Sequence, residues 1–462
     1  MKIFYFALLL SISPFLLQSQ DHSFIDGNWD GFIEIQGQHL AISLIFNTVD
    51  NETDGAINIP QQASYDLPVE VPYFTADSLV FSFETGTGPA FFRASLDDLS
   101  DEQINGLFEQ SGMNFPFTIR KEQLERESML GGHFKQDLTI DIGTHMLEGS
   151  LVTPASFEDS TLIIFSSGSG SQTRNSPIAG FEVFKELAKG LADHGYFSFR
   201  FDERGTGGST GAPDATLSEL AEDLKAIHNY FIENGHTNPF RSVVYLGHSQ
   251  GGIVSLIAAR DHSPRQLVLL ASPALTGDKV INQQIRTISE AQNIPDDVVE
   301  QNMEFQQRVY QAARSGEGWE ELEETIADRL QEQIDELPET QRNTLGDMDQ
   351  FIQSQVSRQL DGAKTRWFKS FIETDPGEYL KESTIPVLAL FGEKDSQVDP
   401  NKNIAEIDPS SSTITTVVID SANHLFQTSE TGMPGEYGML EHQFADGFID
   451  QIIQFLESYD TP

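Results

Sequence analysis

The sequence predicts an α/β protein whose mainly parallel sheet carries a helical lid insertion and is preceded by a small all-β domain. Three observations lead to this fold class. Apolar residues first alternate with polar ones over short segments, and later form continuous runs separated by amphipathic helical patterns. Continuous runs are typical of strands that helices cover on both faces. A helical stretch at about 275–382, rich in Glu, Asp and Gln, interrupts this alternation and predicts the lid.

The N-terminal residues have the pattern of a secretory signal peptide, which we assign to 1–19. Met1 and Lys2 give a short basic start, an apolar stretch reaches Leu17, and Ser19 fits a cleavage position. The stretch is shorter than a membrane-spanning helix usually is, and an uncleaved N-terminal anchor is the alternative. We therefore expect an exported protein, periplasmic or extracellular, with no integral membrane segment after cleavage.

The small β domain is predicted over 27–120, and the charged segment 121–130 is interpreted as a linker to a second domain, 130–462. Short strands at regular spacing, separated by Gly- and Asp-rich turns, indicate a barrel or a sandwich. The expected strands, the first two joined by a hairpin turn at Gly37 and Gln38, are 29–35, 40–46, 78–84, 90–95 and 115–120.

The second domain alternates strands and helices, which implies right-handed crossovers between parallel strands. One helix is predicted to begin at Pro177 after a Ser176 cap. Another opens with the capping box of Thr216 and Glu219, and a last helix is expected over about 441–458. The expected strands are 162–165, 243–246, 267–270, 387–391 and 413–419.

Residues 247–251, Gly-His-Ser-Gln-Gly, match G-x-S-x-G, the nucleophile elbow of serine hydrolases. An apolar run precedes the motif and a helical pattern follows it, which is the strand–turn–helix context that the motif needs. The glycines allow the strained turn that exposes the hydroxyl of Ser249. The alternative is a helix start at which Ser249 only caps the helix.

A serine hydroxyl becomes a good nucleophile when a histidine takes its proton and a carboxylate orients that histidine. In proteins with this elbow the acid and then the histidine follow the serine along the chain. Asp395 comes soon after the strand 387–391 and is the expected acid, with Asp399 as the alternative. His424 follows the strand 413–419 and is the expected base.

Two other histidines lie near these segments in the sequence. His442 is a weaker alternative for the base, at the expected start of the last helix. His248 lies beside the nucleophile and is interpreted as structural. A lone histidine is most often structural, so the chain order and the position after a strand decide in favour of His424.

A tetrahedral intermediate needs two backbone N–H donors, each worth about 3–4 kcal/mol by the losses seen on mutation. The first is expected from Gln250, the residue after the nucleophile. The second is expected from the small-residue loop 166–174, at Ser169, with Gly170 as the second choice. The loop lacks the G-x-x-x-x-G-K-[ST] pattern, which argues against nucleotide binding.

The composition limits the partners and the cofactors. The chain has 28 basic and 71 acidic residues and a formal net charge of −43. Such a surface repels nucleic acid and anionic membranes, so we expect neither as a partner. There is no Cys, which excludes disulfides, thiolate metal sites and cysteine catalysis. The expected chemistry needs neither a cofactor nor a metal.

Taken together, these residues resemble the α/β-hydrolase superfamily, and most closely secreted bacterial carboxylesterases and serine-aminopeptidase-like hydrolases with an N-terminal β domain. The resemblance implies a structural turn around Asp202 and Arg204, in a D-x-R-G-x-G-x-S segment. Many relatives have His-Gly where this chain has Ser167-Gly168, and Val-Pro where it has Val-Asp-Pro at 398–400. The matching segments are 167–170, 202–209, 247–251, Asp395 with Val398, and Asn423 with His424.

The leading hypothesis is a serine hydrolase that cleaves small carboxylic esters, with a short acyl group, through Ser249, His424 and Asp395 and an acyl-enzyme intermediate. A serine peptidase, aminopeptidase or acyltransferase with the same triad is the first alternative, because the triad does not choose the acyl group. A catalytically inert secreted binding protein is the second alternative, and the separate β domain motivates it.

Overall fold

The computed structural model describes residues 25, 27–35, 38–49, 52–59, 64–74, 78–85, 88–96, 103–110, 112–121, 129–157, 160–233, 240–336, 342 and 347–459. The predicted signal peptide, 1–19, lies outside these residues, as do Gly37 of the expected hairpin turn and 122–128 of the expected linker. The described residues form a closed β barrel, a nine-stranded sheet, a short two-stranded hairpin and a set of helices.

The N-terminal part is a closed barrel of eight strands, each antiparallel to its neighbours. The strands are β1 (Gly27–Ile35), β2 (Gln38–Val49), β3 (Glu52–Ile59), β4 (Ser64–Phe74), β5 (Ser78–Thr85), β6 (Gly88–Ser95), β7 (Gln103–Gln110) and β8 (Met113–Lys121). Strand β8 closes the sheet by pairing with β1, from Trp29 opposite Lys121 to Ile33 opposite Phe117. The predicted all-β fold is confirmed, as a barrel and not a sandwich.

Three barrel strands, β3, β4 and β7, are not predicted by the sequence. Strand β4 carries Pro68 and Pro72, which lack the N–H that a ladder uses and so hide the strand pattern. Strand β7 contains Gly106, where a Cβ would lie 2.2 Å from the backbone oxygen of Arg93 on β6. Glycine therefore allows these two strands to approach. The barrel encloses a core of aromatic and aliphatic side chains.

The second part contains a nine-stranded mixed sheet in the order β19-β18-β17-β16-β12-β15-β11-β10-β9. Its strands are β9 (Met129–Leu130), β10 (His133–Asp141), β11 (Met146–Thr153), β12 (Thr161–Ser166), β15 (Phe197–Phe201), β16 (Ser242–His248), β17 (Gln266–Leu270), β18 (Val387–Gly392) and β19 (Ile414–Ile419). From β19 to β15 all neighbours are parallel. This confirms the mainly parallel sheet. The antiparallel strands β11, β10 and β9 extend it, and β9 takes the end of the expected linker.

Helices cover both faces of this sheet. They are α1 (Val183–Asp193), α2 (Leu217–Glu233), α3 (Gln250–Asp261), α4 (Gly277–Ala291), α5 (Asp296–Ser315), α6 (Trp319–Glu336), α7 (Met348–Leu360), α8 (Arg366–Glu373), α9 (Pro376–Glu382), α10 (Pro400–Ile404) and α11 (Phe448–Ser458). One core joins α2, α3 and the helices α5 to α9 to the sheet, and the other joins α1 and α11 to it. Helices α4 to α9 follow β17 and precede β18, in the stretch where the sequence predicts the lid. We call α4 to α9 the helical insertion.

The first helix of this part begins later than the sequence predicts. Residues Pro177–Ile178 form strand β13, which pairs with β14, Phe181–Glu182, and the helix α1 begins only at Val183. Ser176 has a φ of +49°, whereas a residue that caps a helix is normally extended. The hairpin therefore takes the place of the predicted first turns, and the Ser176–Pro177 cap is wrong.

The other two helix predictions had different outcomes. The capping box is confirmed, because Thr216 N–H donates to Glu219 Oε2 at 2.8 Å and Glu219 N–H donates to Thr216 Oγ1 at 3.2 Å. The last helix, expected from about 441, starts only at Phe448, after Gly447 with a φ of +78°. The polar residues between 441 and 447 form a loop that the periodicity of the apolar residues does not reveal.

Candidate active site

Ser249 lies on a sharp turn between β16 and α3. Its φ of +53° and ψ of −120° lie in a region that L-residues rarely adopt. A Cβ at Gly247 would lie 2.2 Å from the backbone oxygen of Gly251, so the motif glycines leave room for the turn. Among the described residues, the Ser249 side chain makes no capping hydrogen bond to α3. The turn therefore has the strain and the strand–helix setting of a nucleophile elbow.

His424 and Asp395 form a buried pair. His424 Nδ1 lies 2.8 Å from Asp395 Oδ2, and each residue has only 4% of its surface exposed. The N–H groups of Gln397 and Val398 both donate to Asp395 Oδ1 at 2.8 Å, which fixes the carboxylate. A carboxylate at Nδ1 favours the tautomer that carries its proton there and leaves Nε2 as an acceptor.

The elements explain why these residues meet at one edge of the sheet. Ser249 follows β16, Asp395 follows β18 and His424 follows β19, and the strands from β16 to β19 are parallel neighbours. The carboxyl ends of such strands face the same way, and ligands of open α/β sheets bind there. The rings of His424 and His248, the residue before Ser249, have centroids 4.8 Å apart.

The alternatives left open by the sequence are placed elsewhere or have other partners. Asp399 Oδ1 accepts the N–H groups of Asn401 and Lys402 at 2.9 and 3.1 Å and caps α10. The ring of His442 packs on that of Phe181 in β14, with centroids 5.9 Å apart. Neither side chain has the position of Asp395 or of His424.

His248 holds the backbone next to His424. Its Nε2 lies 2.9 Å from the backbone oxygen of His424, so Nε2 carries the proton and donates it. Burial and, to a lesser extent, the neighbouring His424 lower the pKa of His248 to about 3, and the hydrogen bond opposes this shift. His248 is therefore neutral at ordinary pH and supports the loop of His424, which agrees with a structural role.

The loop that follows β12 packs on the elbow. A Cβ at Gly168 would lie 3.5 Å from Ser249 Cβ, and one at Gly251 would lie 2.0 Å from the backbone oxygen of Ser166. Ser169 and Gly170, the two choices for the second oxyanion donor, are exposed at the tip of this loop. Gln250, the choice for the first, opens α3. A helix N-terminus presents free N–H groups that favour negative charge.

Glu203 is a residue of the site that sequence reasoning missed. Its Oε1 accepts the hydroxyl of Ser167 at 2.7 Å, and its Oε2 accepts the N–H of Gln172 at 3.3 Å. Burial raises the pKa of Glu203 to about 8; the Asp223 charge adds to the rise, whereas Ser167, Gln172 and Arg204 oppose it. The position lies inside a recognised segment, but no spacing in the sequence pairs it with the loop.

Asp202 and Arg204, the residues on either side of Glu203, are structural, as the resemblance implies. Two nitrogens of Arg174, Nε and Nη2, donate to the carboxylate of Asp202 at 3.0 and 2.6 Å. Arg204 makes the same kind of two-point contact with Asp223 on α2, at 2.7 and 2.6 Å. Planar pairs of this kind fix orientation as well as charge. They hold the turn between β15 and α2 in place beside the loop.

The helical insertion contacts the site from two sides. On one side, Trp367 of α8 donates its indole N–H to Gln250 Oε1 at 2.5 Å. On the other, Gln283 and Gln284 of α4 donate to the backbone oxygens of Ser396 and Gln397, at 3.2 and 3.0 Å. The sequence predicts a lid here but not which of its residues reach the site, because those contacts join segments far apart in the chain.

Neither a metal cluster nor a membrane helix occurs in the part of the chain that the structure describes. No three His, Asp or Glu side chains there converge as metal ligands would. Within the same residues, every helix is too short or too polar to cross a bilayer.

Comparisons with known proteins place the chain in a family. The family described as "alpha/beta hydrolase fold" matches residues 161–431. Esterase EstD of Thermotoga maritima is 22% identical over 321 residues; the match spans 68% of this chain and 66% of that protein, a little under two thirds of its length.

Solved structures show likenesses of the same kind. An esterase of Pyrococcus furiosus is 11% identical, with a TM-score of 0.44 over 71% of this chain and 92% of that one. A thermophilic esterase from Thermogutta terrifontis is 20% identical, with a TM-score of 0.39 over 71% and 100% of the two chains. Likenesses at these TM-scores support no further argument. Because the family match covers more than half of the sequence, the protein belongs to the α/β-hydrolase fold family.

Proposed function

We propose that this protein is a serine hydrolase that cleaves small carboxylic esters with short acyl groups. The observation that carries the proposal is the buried His424–Asp395 pair at 2.8 Å, on the loops after β18 and β19, at the same edge of the sheet as the strained Ser249 turn after β16. A strained serine, a histidine and a carboxylate in this chain order are the parts of a catalytic triad.

In the proposed mechanism Ser249 Oγ attacks the ester carbonyl while His424 Nε2 takes the hydroxyl proton. Asp395 stabilises the imidazolium that forms and keeps its Nδ1 proton in place. The N–H groups of Gln250 and Ser169 bind the oxyanion of the tetrahedral intermediate. The C–O bond to the alcohol then breaks, and His424 returns the proton to the departing oxygen, which leaves an acyl group on Ser249.

The second half of the reaction repeats these steps with water. His424 takes a proton from a water molecule, whose oxygen attacks the acyl carbonyl and forms a second tetrahedral intermediate. The bond to Ser249 Oγ breaks, the proton returns to that oxygen, and a carboxylic acid leaves. The same groups thus act twice, and no redox step or external reductant is needed.

The ester part of the proposal is supported by the relative named an esterase, at 22% identity. The short acyl group is supported by the position of Trp367, whose indole N–H donates to Gln250 Oε1, so that a large side chain lies beside the residue after Ser249. A peptidase or acyltransferase would use the same three residues, and a matched amide substrate separates the peptidase from an esterase.

The first experiment measures kcat/KM for p-nitrophenyl esters of increasing acyl length. We expect turnover of the acetate and butyrate esters, with kcat/KM falling for longer chains. Ser249→Ala should lower kcat by about 10⁴-fold or more at unchanged folding. Ser410→Ala, an exposed serine in the loop before β19, is the matched control and should behave as the wild type.

The ester assay, together with a matched amide and an organophosphonate, distinguishes the alternatives. A folded wild type that turns over no ester but hydrolyses a matched amide would be a peptidase. Full activity in Ser249→Ala would remove the serine mechanism altogether. A wild type that takes up no covalent organophosphonate at Ser249 would be an inert binding protein.

We also propose that the protein is exported, on the strength of the signal pattern at 1–19. The absence of Cys is compatible with an exported protein and with a cytosolic one. The signal pattern alone therefore supports export. N-terminal sequencing of the protein from its own host should find residues 1–19 removed, and an intact Met1 would contradict it.

A further inference from the structure

The second oxyanion donor sits on a loop that has no regular structure of its own. Between Ser166 and Gln172 the chain contains three serines and two glycines, and Gly170 has a φ of +91°. Small residues give a backbone much conformational freedom. An oxyanion hole stabilises charge only if its donors are already in place when the charge develops. The loop therefore needs an external support.

Glu203 contacts the loop on both sides of Ser169. Its Oε1 accepts the hydroxyl of Ser167 at 2.7 Å, and its Oε2 accepts the N–H of Gln172 at 3.3 Å. The backbone adds a third bond, since Glu203 N–H donates to Gln172 O at 3.0 Å. These three bonds lie two residues before and three residues after Ser169, so the tip between them spans only a few residues.

The neighbouring carboxylates are used differently. Asp202 is paired with Arg174, and Asp223 with Arg204, each through two nitrogens of the guanidinium. Arg204 ties the turn around Glu203 to α2, and Arg174, which follows the 166–172 loop and also donates to Glu148 of β11, ties it to the sheet. Both carboxyl oxygens of Glu203, in contrast, accept hydrogen bonds from the loop. The turn thus acts as a rigid base, and Glu203 connects that base to the loop.

We propose that Glu203 is a positioning residue that holds the 166–172 loop at the place where the Ser169 N–H meets the oxyanion. This inference rests on the proposed serine mechanism and on the two-sided contact of Glu203 with Ser167 and Gln172. Glu203 therefore helps to stabilise the transition state and does not bind the intact ester, because its carboxyl affects the reacting atoms only by positioning the loop.

The role has a specific kinetic consequence. A loop whose donor is displaced stabilises the tetrahedral intermediate less, while the ester in its ground state binds as before. Loss of the support should therefore lower kcat and leave KM nearly unchanged. It should also slow the reaction of Ser249 with a p-nitrophenyl phosphonate, whose tetrahedral adduct resembles the intermediate.

Four variants test the proposal. Glu203→Ala removes both side-chain contacts, and Ser167→Ala removes one of them. Glu203→Gln is the conservative variant, because its amide oxygen can accept from Gln172 N–H while its NH₂ donates to the Ser167 hydroxyl. Asp408→Ala is the control, since Asp408 also accepts a serine hydroxyl and an N–H, those of Ser410, in the loop before β19.

For Glu203→Ala we expect kcat for p-nitrophenyl acetate to fall about 10- to 100-fold, short of the loss for a deleted oxyanion donor. KM should stay within about threefold of the wild type, and phosphonylation should slow by the same factor as kcat. Ser167→Ala should show a smaller loss of the same kind. Glu203→Gln should recover kcat to within about threefold of the wild type. The control Asp408→Ala should have the kcat of the wild type.

Other results would overturn the inference. Wild-type kcat and phosphonylation in both Glu203→Ala and Ser167→Ala would show that the loop needs no such support. A loss in KM alone, or equal losses in Glu203→Gln and Glu203→Ala, would also contradict it. If Glu203→Ala fails to fold, Ser167→Ala and Glu203→Gln decide. A wild type that reacts with neither ester nor phosphonate would instead refute the proposed function.

Discussion

At the scale of single residues, the site depends on which carboxylate faces His424. Two aspartates follow β18, and their carboxyl oxygens contact different groups. Asp395 divides its oxygens between His424 and the N–H groups of Gln397 and Val398. Asp399 spends one oxygen on the first turn of α10. Four residues in sequence thus separate a carboxylate that faces His424 from one that caps a helix.

This difference predicts opposite outcomes for the same substitution. In Asp395→Asn the amide oxygen stays with the N–H groups of Gln397 and Val398, so the NH₂ group faces His424 Nδ1 and cannot accept its proton. His424 should then adopt the wrong tautomer. We expect kcat for p-nitrophenyl acetate to fall about 10⁴-fold, as in other triads. The measurement is steady-state kinetics beside a thermal unfolding curve, which should stay close to that of the wild type.

Asp399→Asn is the matched control for this prediction. Asparagine caps helices about as well as aspartate, so α10 should persist and kcat should remain within about twofold of the wild type. If Asp399→Asn lost the activity and Asp395→Asn kept it, the assignment of the acid would have to be reversed.

At the scale of elements, the parts predicted well are those whose signal is local. The capping box of Thr216 and Glu219 needs only four consecutive residues, and the strands β12, β16, β17 and β18 appear in the sequence as apolar runs. The start of α1 was missed because the Ser176–Pro177 signal for a helix start is local, whereas the β13–β14 hairpin that replaces it depends on pairing. The sequence does not predict barrel strand β4, because its two prolines are typical of turns and lack the N–H that a strand ladder uses.

The site follows the same rule at this scale. Ser249, Asp395 and His424 could be chosen from the sequence because each follows a recognisable strand in a known order. Glu203 could not be chosen, because its partner Ser167 lies on another strand's loop, and nothing local links them. Trp367 could not be chosen either, since the sequence of the helical insertion shows which of its faces is apolar but not which residue contacts Gln250.

Helix α8 yields a prediction about acyl specificity. Trp367 lies against Gln250 and stacks on Phe371, with ring centroids 5.4 Å apart, so its indole is held rigidly beside the elbow. Trp367→Ala should open space there and raise kcat/KM for the hexanoate ester relative to the acetate ester by about fivefold or more, the effect of about one kcal/mol. Kinetics with the two p-nitrophenyl esters measures this ratio.

A second tryptophan of the insertion provides the control. Trp319 opens α6 and packs under Lys364, whose ammonium lies 5.7 Å from the ring centroid. Trp319→Ala removes the same volume from the same insertion without touching Gln250, so the ratio of the two esters should not change. An equal rise in both variants would mean that the insertion loosens as a whole and that Trp367 does not limit the acyl group.

At the scale of the whole molecule, charge is the dominant property. The chain has 71 acidic and 28 basic residues, and in the part that the structure describes several basic side chains pair with carboxylates, as at Arg174, Arg204 and Arg314. The excess of acidic residues gives the chain a formal net charge of −43, and the folded chain holds these charges closer together than the unfolded chain does. Self-repulsion of this kind destabilises the compact state.

Salt should therefore stabilise this protein. At 1 M ionic strength the Debye length is about 3 Å, compared with about 30 Å at 0.01 M, so the repulsion between surface carboxylates is almost fully screened. We expect Tm at pH 7 to rise by several degrees, about 2–4 °C for each kcal/mol of relieved repulsion, between 0.01 and 1 M NaCl. Thermal unfolding followed by circular dichroism measures the shift.

Repeating the salt titration near pH 4.5, where many carboxylates are protonated, should reduce the shift in Tm, because fewer charges remain to be screened. A Tm that is independent of salt at pH 7, or a shift of equal size at both pH values, would mean that repulsion among the acidic residues does not limit the stability of the fold.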